Sequence, residues 1–216
     1  MMQTLQKNIQ KNWFYILAIT FLGAITWLHF SSVNNELNGL GGDNAGYILL
    51  AQSIAEGNGY ADWGPGAPPH THFPPLFPLL LAPFVKAFGI NYIIIHSVVV
   101  VCELAAVALL FCFFTYIADR KIALFACLTL ALNPFVNLSL VRILTEFPYV
   151  LLTTLVLFIT AREDVKPTKM LRYFWIPILI VCCYYTRTAG LSILLAYIIY
   201  LFIRKEFRLL WITLPL

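Results

Sequence analysis

The fold is decided by residues 92–118, which read YIIIHSVVVVCELAAVALLFCFFTYIA. A helix needs about 20 mostly apolar residues to cross roughly 30 Å of hydrocarbon. This stretch is longer than that and contains a single acidic residue, Glu103. It therefore predicts a helix that spans a membrane.

Similar apolar runs flank this stretch. They cover residues 13–30, 122–140, 143–161, 172–187 and 189–203. Another run begins at 209–216, and the run 122–140 contains Asn133-Pro134, where the helix should kink or unwind. The pattern predicts an all-α fold, a polytopic bundle of transmembrane helices that forms a single membrane domain over residues 1–216.

The composition excludes several classes of protein. Of the 216 residues, 61% are apolar and 11% are charged, whereas soluble domains have about 45–50% apolar and about 25% charged residues. A soluble globule and a disordered chain are therefore excluded. The net charge of +4 does not indicate a nucleic-acid partner, because the basic residues segregate to one side of the predicted membrane. The five cysteines lie in apolar runs and are interpreted as small core residues.

The distribution of Lys and Arg predicts the orientation in the membrane. If the N-terminus is cytoplasmic, eleven of these residues lie on the inner side. Three lie on the outer side, namely Lys86, Arg142 and Arg187. Cytoplasmic loops of membrane proteins carry such an excess of positive charge. The same orientation makes residues 31–91 a large first outer loop.

The outer loop contains signals for two short helices. Asp43 is a favourable N-cap, and Gly57 and Gly59 are favourable at a helix end, so a helix is predicted between them. Its apolar residues recur on one face, which predicts an amphipathic helix lying on the membrane surface. They are Tyr47, Leu50, Ala51 and Ile54. A second helix, over residues 74–89, is interrupted by prolines and is predicted to be interfacial or re-entrant.

Four segments carry a resemblance to a known family. They are Gly42-Asp43-x-x-x-Tyr47-x-x-x-Ala51 with Gly57-x-Gly59-Tyr60, Pro74-Pro75-Leu-Phe77-Pro78, Thr145-Glu146-Phe-Pro148-Tyr149 and Arg187-Thr-Ala-Gly190-Leu191. Their order over roughly residues 10–205 resembles the N-terminal part of bacterial membrane glycosyltransferases of the C superfamily. That group includes protein O-mannosyltransferase-like and aminoarabinose-transferase-like enzymes. Its members are longer, so the short run at 209–216 is interpreted as a truncated end.

The resemblance implies a protein of the bacterial inner membrane that transfers a sugar from a polyprenyl-phosphate-linked donor. The acceptor is then a lipid, a glycan or a protein on the outer face. The catalytic carboxylate of the family's first loop corresponds to Asp43. Whether this chain is active alone stays open, because the donor site can draw on spans that it lacks.

The chemistry of such a transfer assigns roles to individual residues. The attacking hydroxyl needs a proton acceptor, which we expect to be Asp43, with a helix cap as the alternative. The departing phosphate needs cationic partners, for which Arg187 and Arg142 are candidates, with an interfacial anchor as the alternative. Glu146, four residues after Arg142, is expected to orient that arginine, to bind the acceptor or to form a structural ion pair. Tyr47 completes the substrate-binding candidates.

Two histidines of the outer loop are further candidates. His70 and His72 lie two residues apart and share one side of an extended segment. With Asp43 or Asp62 they would form a site for a divalent metal, which is the one cofactor considered. Hydrogen bonding to substrate, or a solvated loop, is the preferred interpretation.

Two other functions stay open at this point. Glu103 and His96 are ionisable residues seven apart in one predicted span, as in a proton-relay transporter. A neutral Glu103 that is hydrogen-bonded to a neighbouring helix is the preferred interpretation. A lipid-linked sugar flippase or a small-solute transporter is therefore the alternative to an enzyme. The third hypothesis is an inactive remnant of a transferase.

Overall fold

The computed structural model describes residues 2–33, 42–62, 64, 66–165 and 171–213. Over these residues the α-helices are α1 Met2–Ser31, α2 Gly42–Ala55, α3 Leu76–Phe88, α4 Tyr92–Ile117, α5 Arg120–Ala131, α6 Pro134–Leu140, α7 Glu146–Val165, α8 Ile176–Thr186, α9 Leu191–Ile203 and α10 Phe207–Thr213. A π-helical turn, Leu171–Trp175, precedes α8, and a 3₁₀ turn, Thr188–Gly190, precedes α9. Extended pairing in the described segments is limited to a bridge between Ala61 and Pro69. The predicted all-α fold is confirmed.

One of the described helices, α4, is long and apolar enough to cross a membrane. This statement rests on its length and composition alone. Shorter apolar helices cover Ile19–Ser31, Leu76–Phe88 and Thr188–Ile203. The crossing of the membrane by several helices, and their orientation, therefore stay predictions.

Polar side chains determine where three consecutive helices begin. Asn91, Asp119 and Asn133 each accept hydrogen bonds from backbone N–H groups in the first turn of α4, α5 and α6. Such caps satisfy donors that have no partner inside the helix. The cap at Asn133, followed by Pro134, divides the predicted run 122–140 into α5 and α6, so the predicted break is confirmed.

The end of α2 is formed as its glycines predict. Gly57 has a φ of 84°, and its N–H donates to the Ile54 carbonyl, 3.1 Å away. The Asn58 N–H donates to the Ser53 carbonyl at 2.9 Å, which completes a Schellman cap. At the other end α2 includes Gly42, so Asp43 lies in its first turn and the predicted capping position is wrong.

The position of α2 on a membrane surface stays a prediction, but the single apolar face predicted for this helix is wrong. Its buried residues are distributed around the helix and are Asn44, Tyr47, Ile48, Leu50, Ala51 and Ser53. The physical reason is that α2 packs against α3 on one side, while Phe73 of the following loop covers Gly46 on another. The helix predicted over residues 74–89 is present as α3.

Two hydrophobic cores lie along the chain. The first joins α2, α3 and α4 with the start of α7, and includes Tyr47, Phe77, Val99 and Phe147. The second joins the rest of α7 with α8, α9 and α10. Because α7 belongs to both cores, its first residues lie where the two meet.

Candidate functional site

An ion pair joins the start of α7 to the end of α8. The Arg187 Nη1 lies 2.7 Å from the Glu146 Oε1. Both side chains are partly exposed, at 42% for Arg187 and 38% for Glu146. The hydrogen bond from Arg187 to Glu146 raises the pKa of the guanidinium. The pair is thus a charged feature that a ligand can reach.

The structure does not form the predicted helical pair of Arg142 with Glu146. Because α7 begins at Glu146, Arg142 lies in the preceding turn and the four-residue helical spacing does not apply. Arg142 is exposed. The carboxylate of Glu146 turns to Arg187 instead, a partner that local spacing cannot predict.

Arg187 is positioned by a tight turn. The Gly190 N–H donates to the Arg187 carbonyl at 2.8 Å, and the Tyr149 hydroxyl of α7 donates to the Ala189 carbonyl at 3.1 Å. A Cβ on Gly190 would lie 2.6 Å from the Cys183 carbonyl oxygen. Gly190 therefore lets the turn lie directly on the backbone of α8. Gly190 belongs to a motif quoted from the sequence, but this packing role could not be predicted from the motif.

Tyr47 connects α2 to this ion pair. Its side chain is 6% exposed and forms a hydrogen bond with Thr145. The charges of Asp43, Glu146 and Arg187 all act on the Tyr47 hydroxyl. Burial is the main cause of a raised pKa for Tyr47, so the hydroxyl keeps its proton and can donate a hydrogen bond.

Four of the sequence candidates form one electrostatic group, because Asp43 lies one helical turn before Tyr47 in α2 and the charges of Glu146 and Arg187 act on the Tyr47 hydroxyl. Asp43 is exposed in the first turn of α2. Thr145, which the sequence did not single out as a site residue, is 3% exposed and forms a hydrogen bond with Tyr47. The group combines two carboxylates, a guanidinium and a neutral phenol, which are the group types needed to accept a proton and to bind a phosphate.

Both ring nitrogens of His70 form hydrogen bonds within the loop between α2 and α3. Its Nδ1 lies 2.6 Å from the Asp62 Oδ1, and the Phe73 N–H donates to its Nε2 at 2.9 Å. Because a backbone N–H can only donate, Nε2 is the acceptor and the ring proton lies on Nδ1. Neither nitrogen keeps a free lone pair for a metal. The exposed His72 packs its ring on Phe73, and within the described ranges no three metal-binding side chains come together.

The loop between α2 and α3 supports Tyr47. The Phe73 ring packs against Tyr47 with 4.7 Å between centroids, and its carbonyl accepts a 2.7 Å hydrogen bond from the Tyr60 hydroxyl. Burial raises the pKa of Tyr60 to about 12. The loop is therefore a fixed support behind the site.

An apolar cleft of about 420 Å³ lies beside the ion pair. Its walls come from α3, α4, α7 and α8. They include Leu76, Leu80, Cys102, Leu151, Leu152 and Thr186. Thr186 precedes Arg187 directly in the chain, so the cleft extends to the end of α8, where Arg187 follows.

Comparisons with family models, with curated proteins and with solved structures give no match to this chain. The candidate site therefore rests on the chain's own geometry. That geometry is the ion pair of Glu146 and Arg187, with Tyr47 and Asp43 near it and an apolar cleft beside it.

Proposed function

We propose that the chain is part of a polytopic bacterial inner-membrane protein that transfers a sugar on the outer face. The donor is a polyprenyl-phosphate-linked sugar, and the acceptor is a lipid, a glycan or a protein. The observation that carries the proposal is the Glu146–Arg187 pair, close to Tyr47 and Asp43 and beside an apolar cleft of about 420 Å³. A lipid-linked phosphate needs both a cationic and an apolar surface.

Arg187 is proposed to bind the donor phosphate. A guanidinium has five N–H donors, and Glu146 takes one of the two on Nη1, with the Nη1 2.7 Å from its Oε1. Because Arg187 is 42% exposed, its other donors can bind phosphate oxygens in the bidentate manner typical of arginine. The isoprenoid chain would then lie in the neighbouring cleft, and the exposed Arg142 would be a second cationic contact.

Asp43 is proposed to accept the proton of the acceptor hydroxyl. The hydroxyl oxygen forms a bond to the sugar C1 while the bond from C1 to the phosphate oxygen breaks. The polyprenyl phosphate leaves with the bonding electron pair, and the hydroxyl proton moves to the Asp43 carboxylate. The Tyr47 hydroxyl, which keeps its proton, is placed to donate a hydrogen bond to substrate oxygens.

The test is transfer of a labelled sugar from polyprenyl phosphate by the full chain in lipid vesicles. General-base catalysis contributes about 10²–10⁴-fold, so Asp43→Asn should lose at least about 100-fold in rate. Glu56→Gln is the matched control, since it removes an exposed carboxylate just after the other end of α2, where Glu56 bonds with Gln52 and Asn58. Wild-type transfer rates in the Asp43→Asn variant would refute the assignment.

A buried pair of ionisable side chains favours a second candidate, a lipid-linked sugar flippase or a small-solute transporter. His29 of α1 and Glu103 of α4 lie 2.8 Å apart and are almost fully buried. Ionisable pairs inside membrane segments commonly serve transport. Movement of a labelled lipid-linked sugar across vesicles, with no transferred product, would favour this candidate over the enzyme.

A further inference from the structure

A second cavity, of about 210 Å³, lies between α4, α5, α6 and α7. Most of its walls are apolar, and they include Val107, Phe135 and Val150. Two carboxylates also line it, Glu103 of α4 and Glu146 of α7. Phe135 and Glu146 are both solvent-accessible, so the cavity can be entered from their side.

Each carboxylate has one oxygen that is bonded and one that is not. The Glu103 Oε2 lies 2.8 Å from the His29 Nδ1, and the Glu146 Oε1 lies 2.7 Å from Arg187. The other oxygens, Oε1 of Glu103 and Oε2 of Glu146, are enclosed and form no hydrogen bond with the described residues. Glu103 is 1% exposed. Enclosed polar atoms normally have a partner, so each carboxylate has an unmet hydrogen bond, which a ligand in the cavity satisfies once the side chain rotates towards it.

The polar side chains of the cavity walls offer acceptors and no free donor. Besides the two glutamates, the cavity lining contains one more polar residue, Ser139. Its hydroxyl already donates a hydrogen bond to the Phe135 carbonyl at 2.9 Å. A molecule in the cavity must therefore bring its own donors. Two carboxylates favour a positively charged donor, and the apolar walls favour a hydrocarbon stem.

We propose that this cavity binds a primary ammonium group carried on an apolar stem. An ammonium has three donors, enough for both free carboxylate oxygens, whereas an alcohol has one. The ammonium can belong to an amine-bearing lipid headgroup or to a free alkylamine. The proposal does not depend on sugar transfer, because it rests on the two enclosed oxygens and on the shape of the cavity.

The test is isothermal titration of the purified full chain in detergent with n-butylammonium, n-butanol and sodium chloride. Saturable binding of n-butylammonium is expected, at least tenfold tighter than that of n-butanol. Glu103→Gln should weaken it at least tenfold while keeping a group that can bond to His29. Ala106→Phe should abolish it, because Ala106 lines the cavity and the larger ring fills it without touching either carboxylate's charge.

The matched control is Glu163→Gln, which neutralises a carboxylate that is 2% exposed and lies outside the cavity lining. It should bind n-butylammonium as the wild type does. Absence of binding in the wild type, equal binding by Ala106→Phe, equal affinity for n-butanol, or full competition by sodium would each overturn the proposal.

A second measurement distinguishes the two sources of the ammonium and does not depend on Glu103. The chain is reconstituted with phosphatidylethanolamine or with phosphatidylglycerol and examined by native mass spectrometry. Phosphatidylethanolamine that is retained by the wild type and lost in Ala106→Phe indicates a lipid headgroup. Binding of n-butylammonium without retained phosphatidylethanolamine indicates a free amine. Either result supports the ammonium site.

Discussion

The turn that positions Arg187 should not tolerate a side chain at Gly190. In Gly190→Ala, the new Cβ would lie 2.6 Å from the Cys183 carbonyl oxygen and would also overlap backbone atoms of Cys183 and Tyr184. Backbone atoms of a helix cannot rotate away as a side chain can. The turn must therefore move off α8, which strains the hydrogen bond between the Gly190 N–H and the Arg187 carbonyl.

The size of this effect follows from two contributions. Overpacking of this kind costs about 1–3 kcal/mol, and loss of one hydrogen bond costs about 1 kcal/mol. We therefore expect Gly190→Ala to lower the free energy of unfolding by about 2–4 kcal/mol. The same movement displaces Arg187 from Glu146, so binding of polyprenyl phosphate should weaken as well.

The assay is reversible unfolding in mixed micelles, followed by circular dichroism. Thr188→Ala, at an exposed position of the same turn, is the control and should unfold like the wild type. If Gly190→Ala is as stable as the wild type and binds polyprenyl phosphate equally well, the close packing of this turn on α8 does not hold Arg187, and the reasoning is refuted.

Three further predictions concern other parts of the molecule. Arg187→Gln should weaken polyprenyl-phosphate binding more than Arg142→Gln does, because Arg187 directly follows Thr186 of the cleft wall; equal losses in a vesicle binding assay would contradict this. Burial raises the pKa of Tyr60 from 10.0 to about 12, so its contribution to stability is complete below pH 10 and lost as the pH rises towards 12. Near-ultraviolet circular dichroism should show a weaker loss of structure over this range in Tyr60→Phe. His29→Leu should destabilise the protein by about 1–3 kcal/mol by leaving the buried Glu103 Oε2 without its hydrogen-bond partner, and the double variant with Glu103→Leu by less; additive losses in thermal unfolding would contradict this.

The parts of the fold that local chemistry determines were predictable. The break at Asn133-Pro134 follows from a capping side chain and a proline, and the end of α2 follows from Gly57 in the left-handed region. The predicted hydrogen bond from Glu103 to a neighbouring helix is confirmed by its contact with His29 of α1, and the neutral state of Glu103 stays a prediction. The first two features depend on residues that are close together in the sequence, and the third depends on the cost of burying an ionisable group.

The parts that depend on contacts between distant segments were not predictable. Hydrophobic spacing predicted one buried face for α2, but α3 and Phe73 cover it from more than one side. Spacing also paired Glu146 with Arg142, whereas the fold brings Arg187 to it from the end of α8. Substrate binding or a solvated loop was preferred for His70, with a metal site as the alternative, because its bonds to Asp62 and to the backbone arise only when the loop is folded.

The central claim is that Asp43 acts on the outer side of the membrane. The direct measurement is labelling of Asp43→Cys in intact cells with a membrane-impermeant maleimide, in a chain whose native cysteines are replaced. Lys121→Cys, in the exposed start of α5, is the control for the inner side. The account predicts that position 43 reacts in intact cells and position 121 only after permeabilisation. Reaction of position 43 only after permeabilisation would contradict it.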